Sequence, residues 1–175
     1  MLTLLRRFAL RGVLAAALPT LTLGLSGLAS ADGGGGQGAI GTPARPEDPQ
    51  YTAAVRAIKA GEYTKAIPLL EGVTTRDGKN ADAYNWLAYA TRKNGNPSAA
   101  IPIYQKALAI DPKHKGAHEY IGEAYLMLGD LPKAKAHLKT LDSLCFITCE
   151  EFRDLKRAVE AYEKSGGKSK PTASQ

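Results

Sequence analysis

Several kinds of chemistry are missing from this sequence. It has no G-x-S-x-G segment, no glycine-rich phosphate loop, and no Ser/His/Asp set that spacing would bring together. A non-catalytic protein that needs no cofactor is therefore expected. Cysteine is scarce: Cys145 and Cys149 are the only two in 175 residues. Their x-x-x separation is neither the C-x-x-C of thioredoxin-like redox sites nor the spacing of haem attachment. No cysteine lies near the N-terminus, so a lipoprotein anchor has no attachment atom. Acidic residues are absent from the first 31 positions, which hold three Arg and 19 apolar residues. Without that stretch the formal charge falls from +6 to +3, from 20 basic and 17 acidic groups. So modest an excess argues against a nucleic-acid partner.

The N-terminal stretch reads as a secretory signal over residues 1–31. Arg6, Arg7 and Arg11 form its positive region, an uncharged run spans Gly12 to Ala31, and Ala29-Ser30-Ala31 supplies the small-residue cleavage pattern. Cleavage is expected after Ala31. Pro19, Gly24 and Gly27 interrupt the run and make it a poor permanent membrane helix, although an uncleaved anchor is the alternative. The expected location is periplasmic or secreted, where disulfides persist. Residues 32–46 are rich in Gly and Pro and read as a flexible linker, and 165–175 as a solvated tail.

Between these lies a repeat. Residues 81–114 align with 115–148 without a gap: Leu87 falls on Ile121, Ala88 on Gly122, Gly95-Asn96 on Gly129-Asp130, and Ala100 on Ala134. A third block, 47–80, fits the same frame, with Ala54 on Ala88, Gly61 on Gly95 and Ala66 on Ala100. Each block has two stretches of apolar or small residues at three- and four-residue spacing, split by a Gly-centred break, so each predicts a helical hairpin. A lone hairpin leaves an apolar face uncovered, so the blocks must stack. Pro68 and Pro102 recur inside second helices, which predicts that those helices start late or bend there. The stretch 149–164 carries Phe152, Leu155, Ala158, Val159 and Tyr162 at helical spacing and reads as a capping helix. Thr148-Cys149-Glu150-Glu151 predicts a capping box at its start.

A 34-residue period with Leu87, Ala88, Ala100, Tyr104, Ala107 and Asp111-Pro112 at these places resembles the tetratricopeptide repeat. The resemblance implies an all-α, right-handed superhelical array of three helix pairs plus the cap. It also implies that the first helices line a concave groove for a protein or peptide partner. Matching positions give Tyr51, Val55, Asn85, Tyr89, Glu119, Glu123, Arg153 and Arg157 as groove residues. Tyr and Asn suit peptide contact, while Glu119 and Glu123 facing Arg153 and Arg157 read more simply as ion pairs along the wall. The family's carboxylate-clamp subclass is argued against, because its positions hold Tyr51, Val55, Trp86, Gly116 and Tyr120. The implied role is an adaptor or assembly factor of the cell envelope. Self-association through the groove or an end of the stack is a further expectation.

Two local features carry chemistry of their own. In a regular helix, residues four apart hold their Cβ atoms about 5–6 Å apart, against about 3.8 Å across a disulfide. Bonding Cys145 to Cys149 therefore requires a non-helical loop, which the repeat frame supplies, and a disulfide there would pin the cap to the last hairpin. The alternative is a thiol redox or metal-handling pair, with the Cys149 thiolate stabilised at a helix N-terminus. His114 and His118, four apart, invite a zinc site, but His114 falls in a loop and His118 at a packing position, so no metal is expected.

Overall fold

A computed structural model describes residues 48–167, and the predicted signal, the linker and the end of the tail lie outside them. Seven helices follow in order: α1 (Pro49–Lys59), α2 (Tyr63–Arg76), α3 (Ala81–Lys93), α4 (Pro97–Ile110), α5 (Lys115–Met127), α6 (Leu131–Leu144) and α7 (Glu150–Lys164). They pair as α1 with α2, α3 with α4 and α5 with α6. Each pair packs on the next, and α7 closes the stack against α5 and α6. No strand occurs among the described residues, and no helix among them is long and apolar enough to cross a membrane.

The three hairpins turn by one device. Gly61, Gly95 and Gly129 take φ of 74°, 91° and 81°, the left-handed conformation that a Cβ disfavours. The amide of the following residue then donates to a carbonyl five residues back: Glu62 to Ala57, Asn96 to Thr91, and Asp130 to Tyr125. This is the Schellman closure, which satisfies carbonyls that the helix end leaves open. In the second and third hairpins the same residue then caps the next helix, Asn96 Oδ1 accepting from the Ala99 amide and Asp130 Oδ1 from the Lys133 amide.

Small side chains set how closely the helices approach. Ala54, Ala66, Ala83, Ala88, Ala100, Ala107, Ala117, Ala124 and Ala134 have no exposed surface, and the bulk between them comes from Leu70, Tyr104, Ile121, Leu141 and Leu155. Gly122 shows how tight the fit is: a Cβ built there would lie 2.6 Å from Leu155 Cδ2.

Of the two alternatives expected at the prolines, the late start does not occur: α2 and α4 begin at Tyr63 and Pro97 and run through Pro68 and Pro102. The amide bonds lost there are local, and buried Ala66, Leu70, Ala100 and Tyr104 on the same helices hold them in place. The capping helix begins at Glu150, not Cys149, and the capping box does not form. Its first flanking residue is Cys149, which makes no side-chain cap bond because its sulfur is bonded to Cys145. Cys145 ends α6 and Cys149 precedes α7, so the bond ties the two helix ends together across a short loop that exposes Phe146 and Ile147.

Replacing Gly122 with alanine forces Leu155 out of its place under α7. The expected loss is about 1–3 kcal/mol of stability, read as a lower unfolding midpoint, with amide exchange of α7 increasing more than that of α1.

Candidate functional site

A cavity of about 960 Å³ opens on the face formed by the first helices of the pairs and by α7. Trp86 and Tyr89 from α3 and Tyr120 from α5 line it, joined by Asn85, Asp82, Glu119, Glu150, Glu151 and Asp154, with Lys59 and Lys93 also present. The aromatics lock one another in place: Tyr89 meets Trp86 edge-on at 5.5 Å, and its ring centre is 4.9 Å from that of Tyr120. Rings fixed in this way offer flat area that loses little freedom on binding.

An ion pair lies beneath these rings. Arg92, 3% exposed, places Nη1 2.8 Å from Oε2 of Glu123, which is 2% exposed. The two charges attract at that distance although they are out of line for a hydrogen bond. The guanidinium also donates to the Tyr104 hydroxyl at 3.4 Å and sits 5.3 Å and 5.5 Å from the ring centres of Tyr89 and Tyr120. One side chain of α3 thus touches α4 and α5 and supports the floor of the cavity. Burial pushes the Glu123 carboxyl above its usual range, and Arg92 pulls it back.

Glu119 lacks such a partner. It is 5% exposed. Burial pushes its carboxyl up to about 8, and the nearby charges of Glu123, Asp154 and Glu151 add to the effect while Arg92 opposes it. Asn85, 4% exposed, leaves its Oδ1 buried without a hydrogen-bond partner among the described residues.

The eight residues expected in the groove divide. Asn85, Tyr89 and Glu119 come together in it. Tyr51 and Val55 do not join them; with Arg56 and Lys59 they line a separate cavity of about 270 Å³ on α1. Glu123 lies below the groove, paired with Arg92. Arg153 and Arg157 are exposed, and Arg157 pairs with Asp154 of its own helix, so the expected wall of Glu119 and Glu123 against Arg153 and Arg157 does not form. The cause is the seating of α7: Leu155 and Val159 are its buried residues, and with them inward Glu151 and Asp154 turn toward Glu119.

The lining residues left out of that set share a signal. Asp82, Gly116 and Glu150 are one repeat apart, as are Trp86, Tyr120 and Asp154, and all six line the cavity. Trp86, Gly116 and Tyr120 were named only as clamp positions, and the 34-residue period carried from them leads to Asp82, Glu150 and Asp154.

His114 caps α5, its Nδ1 accepting from the Ala117 amide while Nε2 lies 3.0 Å from Asp82 Oδ1. His118 is packed, but against an unforeseen neighbour: its Nδ1 is 2.9 Å from Nδ1 of His137, and its Nε2 lies 3.0 Å from the Pro112 carbonyl. Burial and His118 together hold the His137 ring down to about 4. His137 is therefore a neutral ring near neutral pH, and one proton lies between the two facing Nδ1 atoms.

Two models of the tetratricopeptide repeat match the chain, one over residues 51–115 and the other over 91–143. The tetratricopeptide repeat protein 1 of Schizosaccharomyces pombe is 34% identical over 76 residues, a stretch covering 42% of this chain and 7% of that protein. Among solved structures, the translocator chaperone SycD of Yersinia enterocolitica aligns with a TM-score of 0.61 at 19% identity, over 67% of this chain and 83% of that one. PcrH in complex with the chaperone binding region of PopD gives 0.60 at 18%, covering 67% and 90%. The second tetratricopeptide domain of human RPAP3, in complex with an HSP70 peptide, gives 0.58 at 22%, covering 63% and 92%. The fold is an all-α tetratricopeptide superhelix, the architecture of a protein-interaction scaffold.

Glu119 makes stability depend on pH. Its folded value lies above that of the unfolded chain, so the folded state holds a proton that the unfolded state has released between about 4.5 and 8. Stability contributed by the neutral carboxyl is complete below that window and lost as pH rises through it. Glu119→Gln, which mimics the neutral form, should match the parent near pH 5 and exceed it by roughly 1–3 kcal/mol near pH 9 in denaturant unfolding. An equal difference at both pH values would refute the assignment.

Proposed function

We propose that this chain is an exported, non-catalytic interaction module of the cell envelope, an adaptor or assembly factor that takes a peptide or extended segment of a partner protein in its concave groove. The observation that carries this reading is the groove itself, whose fixed aromatic floor of Trp86, Tyr89 and Tyr120 joins two consecutive first helices. Similar folds have been solved with the chaperone binding region of PopD and with an HSP70 peptide. A groove of this size suits several residues of extended chain better than a compact metabolite.

Export is supported by the signal pattern at residues 1–31 and by the Cys145–Cys149 bond, a modification that persists outside the reducing cytosol. No nucleic acid and no lasting membrane insertion of the mature chain enter this reading. Self-association remains part of it, since a second copy could present the segment.

The test places a photoreactive amino acid at Trp86 in the full-length chain, with a control at Lys139 on α6, and irradiates intact cells. A discrete adduct from position 86, absent from position 139 and recovered from the envelope fraction on a chain beginning at Asp32, is the expected result. Retention in the cytosol, or identical adducts from both positions, would sink the proposal.

One observation favours a second reading. Cys149 flanks the N-terminus of α7, where the helix dipole would stabilise its thiolate and make the disulfide readily reducible. On the structural reading the isolated protein shows no free thiol and resists mild reductant; ready reduction with the fold intact would support redox chemistry instead.

A further inference from the structure

We propose that the groove selects a basic segment of its partner, seating one Lys or Arg side chain against Glu119 and Asn85 beside the Trp86 ring. This rests on the groove reading above and assigns it a charge.

The first observation is one of sign. The whole chain carries +6, yet the groove is lined by Asp82, Glu119, Glu150, Glu151 and Asp154 against Lys59 and Lys93. One of the acids is already engaged, since Asp82 meets His114 at 3.0 Å. Asp154 is also drawn toward Arg157 on its own helix. The remaining three are not held by ion pairs among the described residues, and two of them, Glu119 and Glu151, face each other across α5 and α7.

The second observation is independent of charge. Asn85 Oδ1 is a buried acceptor that no group of the described chain satisfies. An orphaned acceptor of this kind costs stability unless a donor arrives. Glu119, at the same repeat position on the adjoining first helix, is likewise buried with acceptor oxygens and no cation of its own, because Arg92 is committed to Glu123. A guanidinium or ammonium brings several donors and a positive charge at once, and so meets both requirements.

The third observation concerns the rings. Tyr89 already has Arg92 and Lys93 against its face, and Tyr120 has Arg92. Trp86 has no cation over it among the described residues, and indole is the best of the aromatic faces for one. An incoming Lys or Arg therefore finds an unused ring beside two unused acceptors.

The groups facing Glu119 are Glu123 on its own helix, Arg92 on α3, and Glu151 and Asp154 on α7. Burial first, and then acids that outnumber the one cation, keep the Glu119 carboxyl protonated more readily than usual. A bound cation reverses that balance, so binding releases a proton and strengthens as pH rises from about 6 to about 8.

The experiment selects peptides from a displayed library of random nonapeptides on the purified mature chain, then follows an enriched peptide by emission of Trp86, the sole tryptophan of the sequence. Lys or Arg enriched at least about 5-fold over Asp or Glu at one position is expected. Affinity should fall about 10-fold in Glu119→Gln, with the helical spectrum unchanged, and should hold in Lys139→Gln on α6. Because Glu119→Gln also alters pH-dependent stability, Asp154→Asn provides a second, milder variant, expected to weaken the same peptide about 3-fold. Enrichment of acidic or purely apolar peptides would overturn the charge assignment while leaving the groove reading standing. Recovery of no peptide at all would overturn both. If deleting residues 168–175 shifts Trp86 emission in the absence of peptide, the chain's own basic tail is the occupant and the partner assignment fails.

Discussion

The structure depends most on the buried contact between Arg92 and Glu123. The two charges belong to different repeats, so the pair fixes the distance and rotation of α3 relative to α5 in a way that apolar packing alone would not. Neither residue tolerates the other's loss, because removing one partner of a buried pair leaves an uncompensated charge at about 3–5 kcal/mol. Stability is not what such a pair chiefly provides, since well-packed apolar residues often do as well or better in its place. It confers position. The guanidinium lies under Tyr89 and Tyr120 and beside the Tyr104 hydroxyl, so the slope of the groove floor follows from where that one side chain sits.

Around this fixed point the array is built from repetition. Gly61, Gly95 and Gly129 each close a hairpin with a positive φ, and alanines without exposed surface bring helices into contact along the stack. These features were legible because their physics is local: a turn that requires glycine and a contact that requires a small side chain leave the same mark every 34 residues. The seven helices, their pairing and the cap at the end follow from that mark. The late start that Pro68 and Pro102 offered was not realised, for the complementary reason. A proline's cost is local, but whether a helix continues through it is decided by tertiary contacts of residues such as Leu70 and Tyr104, which the spacing does not display.

The groove was legible only in part. Positions that repeat faithfully, Asn85 and Glu119, were found by matching places in the blocks. α7 broke the match. It is the last helix among the described residues, where no further repeat packs on it, and its rotation is set by where Leu155 seats against Gly122 and by the tie from Cys145 to Cys149. Those constraints turn Glu151 and Asp154 toward Glu119 and leave Arg153 and Arg157 exposed. The sign of the groove therefore depends on the phase of one terminal helix, which periodicity in the preceding blocks does not determine. The contact between His118 and His137 was hidden in the same way, because it joins α5 to α6 across positions that have no histidine counterpart in the other blocks.

A capping helix is ordinarily a lid over apolar surface, and here it also sets the chemistry of the binding face. Packing Leu155 and Val159 inward is what a cap requires. The same rotation brings two carboxylates toward a third that burial already disfavours, so the well-packed end of the stack and the strained electrostatics of the groove have one cause. Relieving the strain by turning α7 would expose Leu155, whose burial stabilises by about 1.5–3 kcal/mol. Relieving it by protonating Glu119 leaves the packing intact, and this is the route the free protein takes near neutral pH. A cation in the groove offers a third route that disturbs neither helix nor core. The array is thus held in a shape with an unfavourable contact in its groove, one that protonation relieves in the free protein and that, on the proposed reading, a partner's positive charge relieves in its place.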